Sequence, residues 1–299
     1  MTIPSNDLRI TIVVDDRGHC GLAGEKGFAA WIEIPQGRFL FDTGQGEALI
    51  PNAQALGCDL ARLDALILSH GHYDHSGALA AVLARAPACR LFCHANALVP
   101  RYSVRRDEAP RAIAVAAADR EAIAALPSGR LQWVDGPRLI AAGVILSGPI
   151  PRRHPLEDTG GPFFLDAVGS RADAIEDDMA LGITTDRGLV IVTGCCHAGL
   201  INTVDLLRSL TGVERILGIV GGLHLLNASR ARLDATCTAL RHWRPECVIP
   251  CHCTGEEAVT TLRERLGDCV TPGHAGFALT FATSDGAPVQ CAEKPFLPR

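Results

Sequence analysis

No stretch of this chain is long and apolar enough to cross a bilayer. The most apolar segments, such as 139–146, are short and bounded by glycine and proline. The opening residues, MTIPSNDLRITIVVDD, lack the basic start and apolar stretch of a signal peptide, so none is expected. There is no strong excess of charge: the formal net charge of −5 gives no electrostatic case for a nucleic-acid or membrane-surface partner. Charged residues such as Arg105, Arg106, Asp107 and Glu108 mix both signs, as a solvated loop or helix face does. A Walker loop, a dinucleotide-binding glycine pattern, a Ser/His/Asp triad and a short repeat are all missing. What remains is a composition ordinary for a soluble globular protein, expected in the cytoplasm with a small-molecule partner, and with association into a homo-oligomer left open.

At 299 residues the chain can bury a large core, and a single domain over 1–299 is expected, built of two βα halves. Its twelve cysteines are not spaced like a small secreted scaffold and are expected as reduced thiols. Residues 8–14 read as a first strand, followed by a Gly-rich loop at 18–27 and a hairpin of 28–34 with 38–41. Residues 47–57 read as a helix and 64–68 as a short apolar strand running into Ser69; a helix at 77–85 and a strand at 90–93 follow. The segment at about 97–175 is the least regular and is expected to form a cleft. It carries an Ala-rich helical stretch at 112–126, strands near 131–134 and 143–146, and a Pro/Gly/Arg-rich loop at 148–162. Beyond it, strands 180–184 and 189–193 flank a turn at Asp186-Arg187-Gly188. Helices at 199–210, 230–242 and 255–265 then alternate with strands at 215–220, 247–250 and 277–282. This order predicts helices outside two packed sheets.

The chemistry concentrates in His70-Gly71-His72-Tyr73-Asp74-His75, directly after a predicted strand. Three imidazoles and a carboxylate in six residues suit a borderline divalent metal such as zinc. At a strand-to-helix turn, His70 and His72 could serve one metal, and Asp74 and His75 a second. Gly71 and Gly77 supply the tight backbone such a turn needs.

This run resembles the HxHxDH signature of the metallo-β-lactamase superfamily, and FDTG at 41–44 resembles its earlier motif. The resemblance implies a four-layer αββα sandwich, one or two divalent metal ions (zinc first, with iron, manganese or magnesium as alternatives), and Asp42 supporting the metal-binding loop. TGCCHAGLIN at 193–202, GGLHL at 221–225, CHCTG at 251–255 and EDDMAL at 176–181 look like one branch. That branch includes the 7,8-dihydropterin-6-methyl-4-(β-D-ribofuranosyl)-aminobenzene-5′-phosphate synthases. It implies His197 and His252 as further ligands, and Asp177 or Asp178 near the metals as support or ligand. His224 is either a ligand or a group that binds or protonates substrate. Cys195, Cys196, Cys251 and Cys253 flank these histidines; they read as small packing residues, with a mixed Cys/His site as the alternative. Ser147–His154 resembles the branch's GEIPR segment, with Pro149 in place of the acidic residue. Arg152 and Arg153 in it could grip a phosphate or carboxylate.

Three activities are compatible with this set. In a hydrolase of an ester, lactone or thioester, the metals would activate water, with Asp74 ligating and orienting it. In a pterin-type transferase they would stabilise a departing phosphate or diphosphate. A non-catalytic metal-binding sensor is the third, and the full ligand set argues against it.

Overall fold

The computed structural model describes residues 2–281 and the backbone of the strand Gln290–Cys291. Two sheets carry the architecture. In the first, eight strands run in the order Gln290–Cys291, Ala278–Thr280, Arg9–Val14, Ala29–Ile34, Gly37–Phe41, Ala65–Ile67, Arg90–Cys93 and Leu131–Trp133. In the second, six run in the order Cys247–Cys251, Ile216–Gly222, Gly188–Thr193, Ala180–Thr185, Val144–Leu146 and Arg138–Ala141.

Three apolar clusters define the layers. Ile10, Ile12, Phe39 and Phe41 of the first sheet meet Leu181, Val190, Val192 and Ile249 of the second in the central core. The opposite face of the first sheet (Val13, Trp31, Leu40, Leu66) packs on helices Leu49–Leu56, Leu79–Arg85 and Ala117–Ala124. The outer face of the second (Leu189, Ile191, Ile219, Val248) packs on helices Leu200–Thr211, Arg230–Trp243 and Glu256–Leu266. The strands are apolar on both faces because each sheet is covered on both sides. The result is the expected helix–sheet–sheet–helix sandwich.

Most predicted elements lie within a few residues of their expected bounds. The hairpin turn is Asp186-Arg187, and Gly188 already pairs with Thr185. The helix expected at 77–85 begins two residues later, as Leu79–Arg85, and a separate helical turn, Tyr73–Ser76, precedes it and ends at Gly77. The Ala-rich helix is shortened to Ala117–Ala124 because Arg111–Ala112 is a strand. Strand Arg138–Ala141 and a small sheet of Phe163–Phe164, Tyr102–Ser103 and Arg111–Ala112 were not foreseen. That small sheet is tied to the histidine loop by a bridge between His72 and Ala114, and by the Tyr73 amide donating to the Ile113 carbonyl at 3.0 Å. Part of the predicted strand 277–282 and the C-terminal remainder of the 1–299 domain lie outside the described residues.

Candidate metal centre

The site sits where strand ends converge. Ala65–Ile67, Gly188–Thr193, Ile216–Gly222 and Cys247–Cys251 each run parallel to at least one neighbour and deliver the loops bearing His70–His75, Cys195–His197, His224 and His252–Cys253. Four residues at these loops hold left-handed backbone despite having side chains: Asp42 (φ 62°), Cys196 (φ 62°), His224 (φ 45°) and His252 (φ 46°). Such conformations are costly and persist where the surrounding structure imposes them. Gly71 is required for a different reason: a Cβ there would lie 1.9 Å from the Ala97 carbonyl oxygen.

Potential ligand atoms form five overlapping groups among the described residues, each with members within 4.8 Å of one another; two of them, which we call nests, contain no cysteine and share no residue: His70, His72 and His197, and Asp74, His75 and His252. Each of these two groups joins residues of the His70–His75 loop to one histidine from the second half of the chain, while a further group joins His70 and His75 to Cys195. His70, His75 and His197 are fully buried, and His72 and Asp74 nearly so.

The histidines are oriented from behind. Asp42 accepts from His75 Nδ1, the Ser69 amide and the Ser69 hydroxyl, all at 2.7 Å. Ser69 Oγ lies 2.8 Å from His70 Nδ1. His252 Nδ1 meets Asp16 Oδ1 at 2.5 Å, and the His252 amide donates to Asp15 Oδ2 at 2.8 Å. His197 Nδ1 lies 2.8 Å from the Thr159 carbonyl oxygen. Imidazole backed by carboxylate or carbonyl is the usual outer shell of a metal-ligating histidine. Asp177 accepts from the Gly71 amide at 2.8 Å and from both terminal nitrogens of buried Arg101, which also ion-pairs with Asp173 at 2.9 Å. Asp177 therefore braces the histidine loop and is not one of the nest donors. Asp178 accepts from the Ala198 amide at 2.6 Å.

The donors fit metal ions. Nε2 of His72, Nε2 of His197 and Nδ1 of His224 are buried with no hydrogen-bond partner, a cost that a bound cation would remove. Burial, with repulsion from neighbouring cationic groups, holds His70, His72 and His197 well below the usual histidine range, so they are neutral as ligation requires. At His252 burial acts the same way, but Cys253, Asp16 and Asp74 outweigh it and raise the ring to about 9. Burial likewise raises Asp178 to about 7 and Asp15 to about 6.

Above the nests lies a cleft of about 820 Å³. Residues from 103–113 and 160–163 form one wall; others come from 15–26 and 250–263. His224 lines it, its ring 4.3 Å from that of His197. Gly160 packs so closely on His224 that a Cβ would lie 1.9 Å from Cδ2. Phe163 stands over His72 and His197, at ring distances of 5.2 and 5.3 Å.

Arg152 and Arg153 require correction, since neither lines the cleft. The Arg152 guanidinium is taken up by the carbonyls of His197 and Ala174, so it fastens the His197 loop. Arg153 is exposed, and its amide donates to Asn202. The cationic side chains on the cleft are instead Arg17, Lys26, Arg105, Arg111 and Arg263. Sequence reasoning also missed Asp16, Ser69 and Arg101. Only Asp16 left a trace, an acidic pair closing the first strand.

The model of the metallo-beta-lactamase superfamily matches residues 23–170. An uncharacterised protein of Methanocaldococcus jannaschii is 31% identical over 276 residues, covering 89% of this chain and 98% of that protein. The 7,8-dihydropterin-6-methyl-4-(beta-D-ribofuranosyl)-aminobenzene-5′-phosphate synthase of the same organism is 28% identical over 250 residues, covering 82% of this chain and 84% of that enzyme. One solved structure, described as a metal-dependent hydrolase of the beta-lactamase superfamily, matches with a TM-score of 0.78 at 30% identity, covering 92% of this chain and 99% of that one. On the strength of these matches and the sandwich that carries the nests, the chain belongs to the metallo-beta-lactamase superfamily.

Proposed function

We infer that this protein is a two-metal enzyme, with zinc the ion best suited to its donors, acting on a small phosphorylated or pterin-related anion. The observation that carries the reading is the pair of three-ligand nests at the floor of a cleft whose lining includes five cationic side chains beside five carboxylates, of which Asp74 is a nest donor and Asp16 backs His252, so that bound divalent ions would tip its charge toward an anion. Bound divalent ions would supply Lewis acidity, a lowered pKa for water and charge to hold phosphate oxygens.

The chain's own residues have separable tasks. Asp42 and Asp16 hold His75 and His252 in one tautomer, with the second nitrogen left for ligation. Asp74 is the nest carboxylate and the group that would orient a nucleophile. His224 lines the cleft beside His197, so its ring is placed either to add a donor to the metal centre through its buried, unpartnered Nδ1 or to hydrogen-bond a substrate oxygen. Tyr73 and Phe163 offer aromatic faces on the cleft, and the Arg111 guanidinium lies 4.8 Å from the centre of the Tyr73 ring. A planar heterocycle carrying a phosphate suits that combination, and the kinship with the dihydropterin synthase supports it.

A second reading, hydrolysis of a neutral ester, lactone or thioester, draws on the solved relative described as a hydrolase. The two are separated by screening phosphomonoesters, diphosphates, lactones, thioesters and pterins against metal-loaded protein. Turnover of phosphorylated compounds, reduced by Arg111→Ala, is expected. Turnover of neutral esters only, unaffected by Arg111→Ala, replaces the first reading with the second.

A further inference from the structure

The four cysteines beside the second-half histidines divide by direction. Cys196 turns into the layer between the second sheet and its helices, its Sγ 3.4 Å from Thr203 Oγ1. Cys251 turns into the core between the sheets, its Sγ directed at the Ile249 carbonyl. These two pack. Cys195 and Cys253 face the metal centre instead, and they differ from each other. Cys253 gathers with His252 and Cys195 only, and its thiol donates to the Cys195 carbonyl at 3.5 Å. Cys195 belongs to three donor groups: with His70 and His75, with His197 and His224, and with His252 and Cys253.

The first of those groups takes one histidine from each nest. Its Sγ lies 3.0 Å from His75 Nε2, the nitrogen left over once Asp42 has taken Nδ1. The neighbouring residue, Gly194, closes against the same brace: a Cβ there would meet Ser69 Oγ at 2.2 Å and Asp42 Oδ2 at 2.7 Å. The thiol is thus fixed by backbone that cannot shift without disturbing the groups orienting His70 and His75. Ligand atoms on one tetrahedral zinc stand roughly 3.3–3.8 Å apart, from bonds of about 2.0–2.1 Å to nitrogen and 2.3 Å to sulfur. A sulfur grouped with donors of both nests is positioned to serve two ions.

We propose that Cys195 is a ligand shared between the two nests, making this a thiolate-bridged dimetal centre. The inference rests on the metal reading above and deepens it. On loading, the Cys195 S–H bond breaks, the proton leaves to solvent, and the sulfur lone pairs form the metal–sulfur bonds; no redox partner is involved. It follows that the centre is more sensitive to thiol oxidation than one bridged by oxygen, since an oxidised sulfur loses ligating capacity.

The test is cobalt substitution in the metal-free 299-residue chain, followed by absorption spectroscopy. Wild type is expected to show the visible bands of cobalt held by nitrogen and oxygen, together with a near-ultraviolet sulfur-to-cobalt charge-transfer band. Cys195→Ser and Cys195→Asp should lose the charge-transfer band and keep visible bands, whereas Cys253→Ser should keep both. On the zinc form of wild type, which requires no variant to fold, X-ray absorption should resolve a scatterer at about 2.3 Å beside the shorter nitrogen and oxygen shell. Cobalt binding without a charge-transfer band, no sulfur shell, or a band that survives Cys195→Ser and vanishes in Cys253→Ser overturns the bridging role while leaving the metal reading intact. Failure of wild type to bind cobalt or zinc overturns both.

Discussion

The two nests are built from the same loop yet differ in character. The first, His70, His72 and His197, contains imidazoles only, backed by a serine hydroxyl and a backbone carbonyl. The second, Asp74, His75 and His252, contains a carboxylate, and both its imidazoles lean on further carboxylates, Asp42 and Asp16. Apart from the shared Cys195 sulfur proposed above, a divalent ion would meet neutral donors in the first and anionic or anion-backed donors in the second. The second nest should therefore hold its ion more tightly, and the first should empty first on dilution or chelation.

The largest effect should come from cutting both nests together. His72→Ala with Asp74→Ala should abolish metal binding while the sandwich still folds, because neither side chain belongs to an apolar cluster. Elemental analysis should read about two ions per chain in wild type, none in the double variant, and about one in His197→Ala, which spares the second nest. Full metal content in the double variant would refute the ligand assignment.

Next comes Arg101, whose partner Asp177 holds the histidine loop at Gly71, between His70 and His72 of the first nest. Arg101→Ala leaves Asp173 and Asp177 buried without their counter-charge, and Asp177 is the acceptor for the Gly71 amide. Breaking a buried pair on one side costs about 3–5 kcal/mol. Urea unfolding should show a loss of that size, and metal released from the first nest before the second. An unchanged midpoint would mean the arginine is dispensable.

The two consecutive carboxylates behind the loop extend the comparison. Asp177 is saturated with partners, whereas Asp178 keeps one buried oxygen without any. Burial raises Asp178 to about 7, against an ordinary value of 3.8. An acid raised on folding binds more protons folded than unfolded between those two values. The contribution of Asp178 to the stability of the metal-free protein should therefore fall as pH rises from about 4 to 7, by on the order of a few kcal/mol, while His70, His72 and His197, held low, act in the opposite sense below about 6.5, and His252, raised to about 9, adds a fall above it. Asp15, raised to about 6, acts in the same direction as Asp178. Denaturant unfolding across that range should show the stability of wild type falling relative to Asp178→Asn as pH rises from about 4 to 7; a difference that does not change with pH would show that Asp178 is not the group responsible.

Smaller again is the effect of unbacking one histidine. Asp16→Asn should weaken the second nest about ten- to a hundredfold in metal affinity and leave the first unchanged, as read by competitive chelation. Equal weakening of both nests would erase the distinction drawn between them. Asp16 also marks the limit of what the sequence discloses. His70–His75 announces itself because six contiguous residues follow one strand, so local spacing alone places them. His197 and His252 become legible only through likeness to a family, since nothing local says where their strands lie. The bond between Asp16 and His252 joins residues 236 apart, and the brace from Asp177 to Gly71 spans 106. Such pairings depend on sheet order, which strand propensity does not encode. Cys195 and Cys196 are chemically identical neighbours, and only the left-handed turn at Cys196 sends one into the core and the other toward the metals. The sandwich was legible because its strands and helices alternate cleanly; the small sheet in 97–175 was not, because its strands are two residues long.

The smallest effect sharpens the contrast between the floor of the cleft and its walls. The sequence offered Arg152 and Arg153 as the anion grip, and the fold uses them otherwise. Arg152 caps two carbonyls, and Arg153 is exposed away from the cleft. Arg153→Ala should leave the binding of a phosphorylated ligand within about twofold of wild type, since losses of about 1.5–3 kcal/mol follow only where a charge-assisted hydrogen bond is made. Arg111 stands on the wall, stacked on Tyr73 and bonded to its hydroxyl, and that contact fixes the guanidinium at the mouth. Arg111→Ala should weaken the same ligand by about tenfold or more, with the effect shrinking as salt is raised, because an exposed cation acts through screened water. Calorimetric titration of metal-loaded protein with inorganic phosphate and with a pterin phosphate measures both variants on one scale. If Arg153→Ala costs as much as Arg111→Ala, the loop at 148–162 must reach the ligand after all, and the cleft closes over its substrate by moving that loop.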